Sequence, residues 1–322
     1  MERRAFVTGL GAILVAPFGA DAQQVAKISR VGILAHAAPD TAAPLMAIFR
    51  QSLEGLGWVE GRNVAIDLRL VDRQEELTHE AAGLVSRGVD VIVTVATPAV
   101  LAAKQTTTAI PIVMVTALDP VQSGVVSSLA RPEANVTGNA TLTTELTTKQ
   151  MQILKEVLPH LNRLGVVWNP SNPAFSGATW TELSSAARAL SVELRRLDAR
   201  NVDDITRLPT DAVRALLLMS DPAFHLGLSR IADFALRRHL PTAYLFQDFV
   251  KAGGLLSYGP NFASLVRQAA EYVDKILRGA KPSAMPIQQP TRFDLAINLK
   301  TAKALGLTIP PSVLLRADHV IE

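Results

Sequence analysis

The chain has no cysteine among its 322 residues. Disulfides, thiol nucleophiles and zinc–cysteine sites are thereby excluded, and stability must come from an apolar core. Aromatic residues make up only 5%, too few for the stacking platforms that hold single-stranded nucleic acid. Net charge is a small +3. The widest basic excess, Arg195, Arg196 and Arg200, is interleaved with Glu193 and Asp198. That pattern reads as a solvated face, so no nucleic-acid partner is expected. Catalytic signatures are missing too. There is no Gly-x-Ser-x-Gly elbow, no phosphate-binding glycine loop with lysine, and no His-Glu-x-x-His. The six histidines are spread without metal-ligand spacing. No enzyme activity, metal or cofactor is expected.

What is present begins with an export-type N-terminus. Arg3 and Arg4 precede an uncharged stretch from Ala5 to Ala20, and Ala20-Asp21-Ala22 fits a small-x-small cleavage pattern. Gly9, Gly11 and Pro17 within a short run suit a signal peptide (residues 1–22) better than a membrane span. The paired arginines resemble a twin-arginine signal, and an ordinary secretory signal fits as well. No cysteine follows, so no lipid anchor is expected. The mature protein should begin near Gln23 and reside in the periplasm.

Beyond it, short β-type runs alternate with helical patterns. Val31 to Leu34, Val91 to Val95 and Ile112 to Val115 are apolar enough for buried strands, and Val64 to Leu70 alternates as an edge strand would. Leu45, Phe49, Leu53 and Leu56 mark one helix face, and Leu77, Ala81, Leu84 and Val85 another. The pattern restarts at Leu164 to Trp168, continues through Val192 to Leu197, Ala215 to Met219 and Thr242 to Leu245, and ends in a long helix from Phe262 to Leu277. Two successive sets predict an α/β protein of two doubly wound lobes with parallel sheets. One segment repeats: Val89 to Ala99 can be laid over Val213 to Ala223. Each reads as an apolar strand, a turn, a capping residue, then Pro-Ala.

In open α/β sheets, ligands bind beyond the carboxyl ends of the strands. Ala96-Thr97-Pro98-Ala99 and Asp221-Pro222 occupy two such ends. Thr97 and Asp221 read as N-caps, with proline at the first helical position. The Thr97 helix start suits a ligand carboxylate, and Asp221 suits an ammonium or hydroxyl. A cleft between them would fit a zwitterion such as an amino acid. Both residues could equally be plain caps. On the ligand reading, Asn at position 221 would delete the charge yet leave the cap and the fold intact. His36, Asp119 and the turn Asn169-Pro170-Ser171-Asn172-Pro173 lie at further strand ends. Trp168, Phe246 and Tyr258 could wall the site or pack as core.

Several segments resemble the family of ABC transporter substrate-binding proteins assigned to tryptophan/tyrosine transport. They are Phe49 to Val64, Val89 to Val93, Thr97 to Ala99, Ile110 to Val113, Asp119 to Val121, Leu129 to Pro132, Asn135 to Gly138, Trp168 to Pro170 and Asn298 to Leu307. The resemblance covers nearly all of the mature chain. It implies a type I periplasmic binding protein fold with three chain crossings, near Ala140, Gly259 and Pro286. The N-terminal lobe would hold residues 23–140 and 260–285, and the C-terminal lobe 141–259 and 286–322. It further implies a carboxylate site at Thr97, Pro98 and Ala99 faced by Asp221. His36-Ala37-Ala38-Pro39-Asp40 partly matches a ligand loop of related amino-acid receptors. The expected function is a monomeric receptor that delivers a small molecule to the permease and ATPase subunits of an importer. A sensory receptor of the same fold, or a receptor for a sugar or nucleoside, remains open.

Overall fold

The computed structural model describes residues 28–132, 135–172 and 177–322. The expected signal peptide and Pro173 lie outside the described residues. The first lobe runs β1 (Ser29–His36), α1 (Pro39–Gly55), β2 (Val64–Val71), α2 (Leu77–Ser86), β3 (Val91–Val95), α3 (Thr97–Thr106), β4 (Ile112–Leu118) and β5 (Val136–Thr141). The second runs α4 (Thr143–Val157), β6 (Arg163–Trp168), α5 (Gly177–Ala189), β7 (Glu193–Asp198), α6 (Val202–Ile205), β8 (Ala215–Leu218), α7 (Pro222–His225), α8 (Leu228–Arg237), β9 (Thr242–Tyr244), α9 (Asp248–Lys251) and β10 (Leu256–Pro260). Then follow α10 (Phe262–Leu277), β11 (Phe293–Asn298), α11 (Leu299–Ala304), α12 (Pro311–Leu314) and β12 (His319–Ile321).

The strands form a five-stranded sheet, β2-β1-β3-β4-β5, and a seven-stranded sheet, β12-β11-β10-β9-β8-β6-β7. All pairings in the first are parallel. The second is parallel except where β11 runs antiparallel to β10, which follows from the chain re-entering the lobe from the opposite side. The orders β2-β1-β3-β4-β5 and β7-β6-β8-β9-β10 correspond strand for strand. β3 and β8 therefore hold equivalent places, and so do the two copies of the repeated segment.

The chain leaves the first sheet after Thr141, and α4 then packs under β9 and β10. It returns after Pro260, where α10 lies against α1 and β4. Trp58 Nε1 donates to Asp274 Oδ1 at 2.8 Å and ties α10 to the first lobe. The third passage comes after Gln288, whose N–H still bonds Gly138 O in the first lobe. Gly259 at the end of β10 has a structural reason: a Cβ there would stand 2.1 Å from Leu245 O.

β5 is a strand that hydrophobicity does not signal. Val-Thr-Gly-Asn-Ala-Thr is half polar yet buried throughout. Most of its polar groups are matched: Thr137 Oγ1 donates to Met285 O, Asn139 Nδ2 to Val115 O and Leu265 O, and Thr141 shares a hydroxyl contact with Thr116, while Asn139 Oδ1 has no partner among the described residues.

Candidate functional site

The carboxyl ends of both parallel sheets face each other across one cleft. From the first lobe come His36 after β1, Ala96 after β3 and Asp119 after β4. From the second come Asn169 after β6, Asp221 after β8 and Phe246 after β9. All except Ala96 are at most 8% exposed, and Asp221 is 0% exposed. The lobes touch across this region, where Gln122 Nε2 lies 3.2 Å from Thr179 Oγ1.

Asp221 organises the second-lobe wall. It caps α7 through a 2.9 Å bond from Ala223 N–H to Oδ1. Its Oδ2 accepts from Asn172 Nδ2 at 2.7 Å and Asn169 Nδ2 at 3.0 Å. The 169–172 turn is thereby pinned to the strand end, and Asn169 Oδ1 accepts from Ser171 N–H at 2.9 Å to close it. Burial raises the Asp221 carboxyl above its ordinary value, against the pull of these donors and of nearby His36. A carboxylate offers about four lone-pair positions, and these contacts fill three.

His36 answers from the other lobe. Its Nε2 lies 3.0 Å from Asp72 O, and a carbonyl only accepts, so Nε2 carries the hydrogen. Nδ1 is buried and has no hydrogen-bond partner among the described residues. In the neutral ring it is an acceptor.

Two neighbouring strand ends are strained. Ala96 has φ 69° and Asp119 φ 42°, left-handed values that non-glycine residues rarely adopt. Such strain costs on the order of 1–3 kcal/mol per residue and concentrates at functional sites. The conformation at Ala96 starts α3 one residue earlier than the sequence pattern suggests. Ala96 is the N-cap, Thr97 opens the helix, and Pro98 is second. Thr97 is therefore not a cap, which corrects the expectation. Its hydroxyl accepts from Leu118 N–H at 3.0 Å and sits 3.4 Å from Leu118 O. It latches α3 to β4. Pro98 and Ala99 are buried in the same first turn. Asp119 bonds the Thr143 N–H that opens α4, with Oδ1 at 3.1 Å. It joins the two lobes, and burial raises its carboxyl as well, with Thr143 pulling the other way.

The aromatic candidates divide. Phe246 joins a ring cluster, with centroids 5.0 Å from Phe262 and 5.8 Å from His225. Burial pushes the neighbouring Tyr244 phenol well above its usual value, and that hydroxyl meets His225 Nδ1 at 2.9 Å. Trp168 is turned into the second-lobe core against Trp180, 6.0 Å away, under the Arg196 guanidinium. Tyr258 packs near Phe293 beside the chain crossings, not on the cleft.

Outward from His36, Asn169, Ser171 and Ala223, the cleft opens into a cavity of about 600 Å³. Its outer walls are Asp72 to Glu75 after β2, and Arg200 to Asp203 after β7. Sequence reasoning missed these residues and set Arg200 on a solvated face. The same strand-end rule would have found them had it been applied to the edge strands. Among the described residues no cluster could hold a metal ion, and no helix is long and apolar enough to cross a membrane.

Comparison with known proteins agrees with this architecture. The chain is 26% identical over 263 residues to a tyrosine-binding protein of Clostridioides difficile, covering 80% of this chain and 75% of that one. A conserved domain protein from Vibrio cholerae superposes with TM-score 0.86 at 26% identity, covering 91% of this chain and 100% of that one. An ABC domain from Streptococcus pneumonia in complex with L-Trp superposes with TM-score 0.84 at 24% identity, covering 91% and 99%. Residues 30–321 match the family model described as ABC transporter substrate binding protein, and the chain belongs to that family.

Proposed function

We propose that this protein is the receptor of an ABC importer and that it closes its two lobes on an aromatic amino acid. The observation that carries the reading is the pair of acceptors buried at opposed strand ends. Among the described residues, Asp221 Oδ2 and Oδ1 leave one lone-pair position open, and His36 Nδ1 has no partner. Two acceptors require a ligand that brings donors, which an α-ammonium does. The start of α3 supplies the complementary feature, since the first N–H groups of a ten-residue helix attract a carboxylate. The rings packed around Phe246, at the strand end after β9, are the aromatic groups placed to meet an aromatic side chain. Relatives with bound or named tyrosine and tryptophan support the same ligand class.

A receptor binds without chemical change, and ligand that prefers the closed form shifts the lobes toward it. Closure would present a joint surface to the permease and ATPase subunits. Calorimetric titration of the purified protein with L-Tyr and L-Trp tests the reading. Saturable 1:1 binding, with the compounds recovered unaltered, is expected. Binding of neutral sugars alone would refute the amino-acid ligand, and turnover of a bound compound would refute the receptor.

A further inference from the structure

A second cavity, about 240 Å³, lies away from the cleft, at the hinge. All three chain crossings wall it. Leu142 belongs to the first, Tyr258 to the strand that enters the second, and Gln289 and Pro290 to the third. The Tyr258 and Phe293 rings stand 6.0 Å apart at 31°, giving one broad apolar wall. Leu146 extends it from α4.

The polar side of the lining is carried by Glu145, Lys149 and Gln289. Lys149 is half-buried and has no ion pair or hydrogen bond among the described residues. Glu145, one turn earlier on α4, is exposed and makes no ion pair with it. A cation left without a partner beside two rings suits a flat organic anion. The volume falls below the 300–1,000 Å³ of sites for larger ligands, so the occupant must be small.

We propose that this hinge cavity binds a small aromatic carboxylate, its ring against Tyr258 and Phe293 and its carboxylate on Lys149. The site is separate from the amino-acid cleft, and its existence does not depend on what the cleft holds. Its walls come from the three segments about which the lobes must turn. An occupant therefore has different contacts in the open and closed arrangements, and biases one of them. By linkage, the hinge ligand and the cleft ligand change each other's affinity by the same factor.

Benzoate is the probe, followed by ligand-observed NMR on the full chain. Saturable binding is expected, weakened about tenfold or more by Lys149→Met, since the charge-assisted contact is lost. Tyr258→Ala should weaken it too, and Glu145→Gln should strengthen it by removing a like charge near the anion. His36→Ala, a cleft change, should leave benzoate binding as it was. Melting curves identify any variant that fails to fold, and Lys149→Met alone decides if Tyr258→Ala does. Absence of saturable benzoate binding overturns the proposal. So does binding that survives Lys149→Met but is lost in His36→Ala, which would put benzoate in the cleft.

Discussion

Asp221→Asn is the sharpest perturbation of the cleft. The sequence alone suggested that the amide would keep the cap and spare the fold. The structure says otherwise. The amide oxygen can keep the Ala223 N–H, but the new NH2 group replaces the oxygen that accepts from both Asn172 and Asn169, at 2.7 and 3.0 Å. A donor then faces two donors. Turning the Asn172 amide can relieve one clash. Turning Asn169 would forfeit the 2.9 Å bond from Ser171 N–H. One charge-assisted bond is therefore lost outright, about 1.5–3 kcal/mol. Release of the buried carboxylate's desolvation offsets part of it, leaving a net apo loss of about 1–2 kcal/mol. For a chain of this size that lowers Tm by roughly 2–3 °C. Affinity for L-Tyr should fall further, by about ten- to a hundredfold, because the ammonium loses its ionic acceptor. Calorimetry on apo protein and on the titrated complex separates the two effects. If the variant melts and binds like the parent, the Asp221 network does not hold the wall. If it melts earlier with affinity intact, Asp221 anchors the turn and the ammonium sits elsewhere.

Thr97→Ala should lower apo stability by about 1–3 kcal/mol, because it strips the buried Leu118 N–H of its acceptor. Its apo melting curve should move while L-Tyr affinity stays within about threefold, and Thr97→Ser should restore the melting point. His36→Ala should do the reverse, weakening L-Tyr by about tenfold with a smaller change in melting, as expected for one buried hydrogen bond. For pH, the sign follows from burial. The Asp119 carboxyl is raised above 3.8 in the fold, so the native state holds its proton more tightly than the unfolded chain. That contribution is full at low pH and is lost as pH rises through the raised value. Measured against Asp119→Asn, the parent should gain stability as pH falls from neutral toward 3.8. A difference that stays flat across that window would refute the assignment. Gly259→Ala should cost more than about 3 kcal/mol or abolish soluble expression, because its Cβ would meet the Leu245 carbonyl.

The fold was legible where burial and sequence period agree. β1, β3, β4, β6 and β8 are apolar runs fully or nearly enclosed by helices, and α1, α2 and α10 carry their apolar residues on one face. The elements around the hinge were not legible. β5 is polar at Thr137, Asn139 and Thr141, yet wholly buried, because its partners come from residues as distant as Met285. No local pattern encodes a contact 148 residues away. The antiparallel entry of β11 is hidden for the same reason, since direction depends on where the chain returns from and not on strand composition.

The site shows how far a repeated sequence pattern can mislead. Thr97 and Asp221 hold equivalent places in matched strand orders, and the sequence gives them the same capping role. A single backbone angle separates them. With Ala96 at φ 69°, α3 begins at Thr97, so the threonine hydroxyl turns to β4 and the helix start is left open. At Asp221 the backbone is extended, with φ −143°, and the side chain caps its own short helix while collecting the two asparagines. One lobe therefore has a helix start without a side-chain cap, and the other a helix start capped by a buried carboxylate. The asymmetry that would recognise a zwitterion arises from one strained residue in an otherwise duplicated frame. Replacing Ala96 by glycine should relax that strain with little loss of fold, since glycine adopts this conformation freely. If α3 supplies the carboxylate site as proposed, Ala96→Gly should bind L-Tyr about as well as the parent, whereas Ala96→Val should disturb both melting and binding. A valine variant that binds normally would show that the strained corner is not needed to form the site.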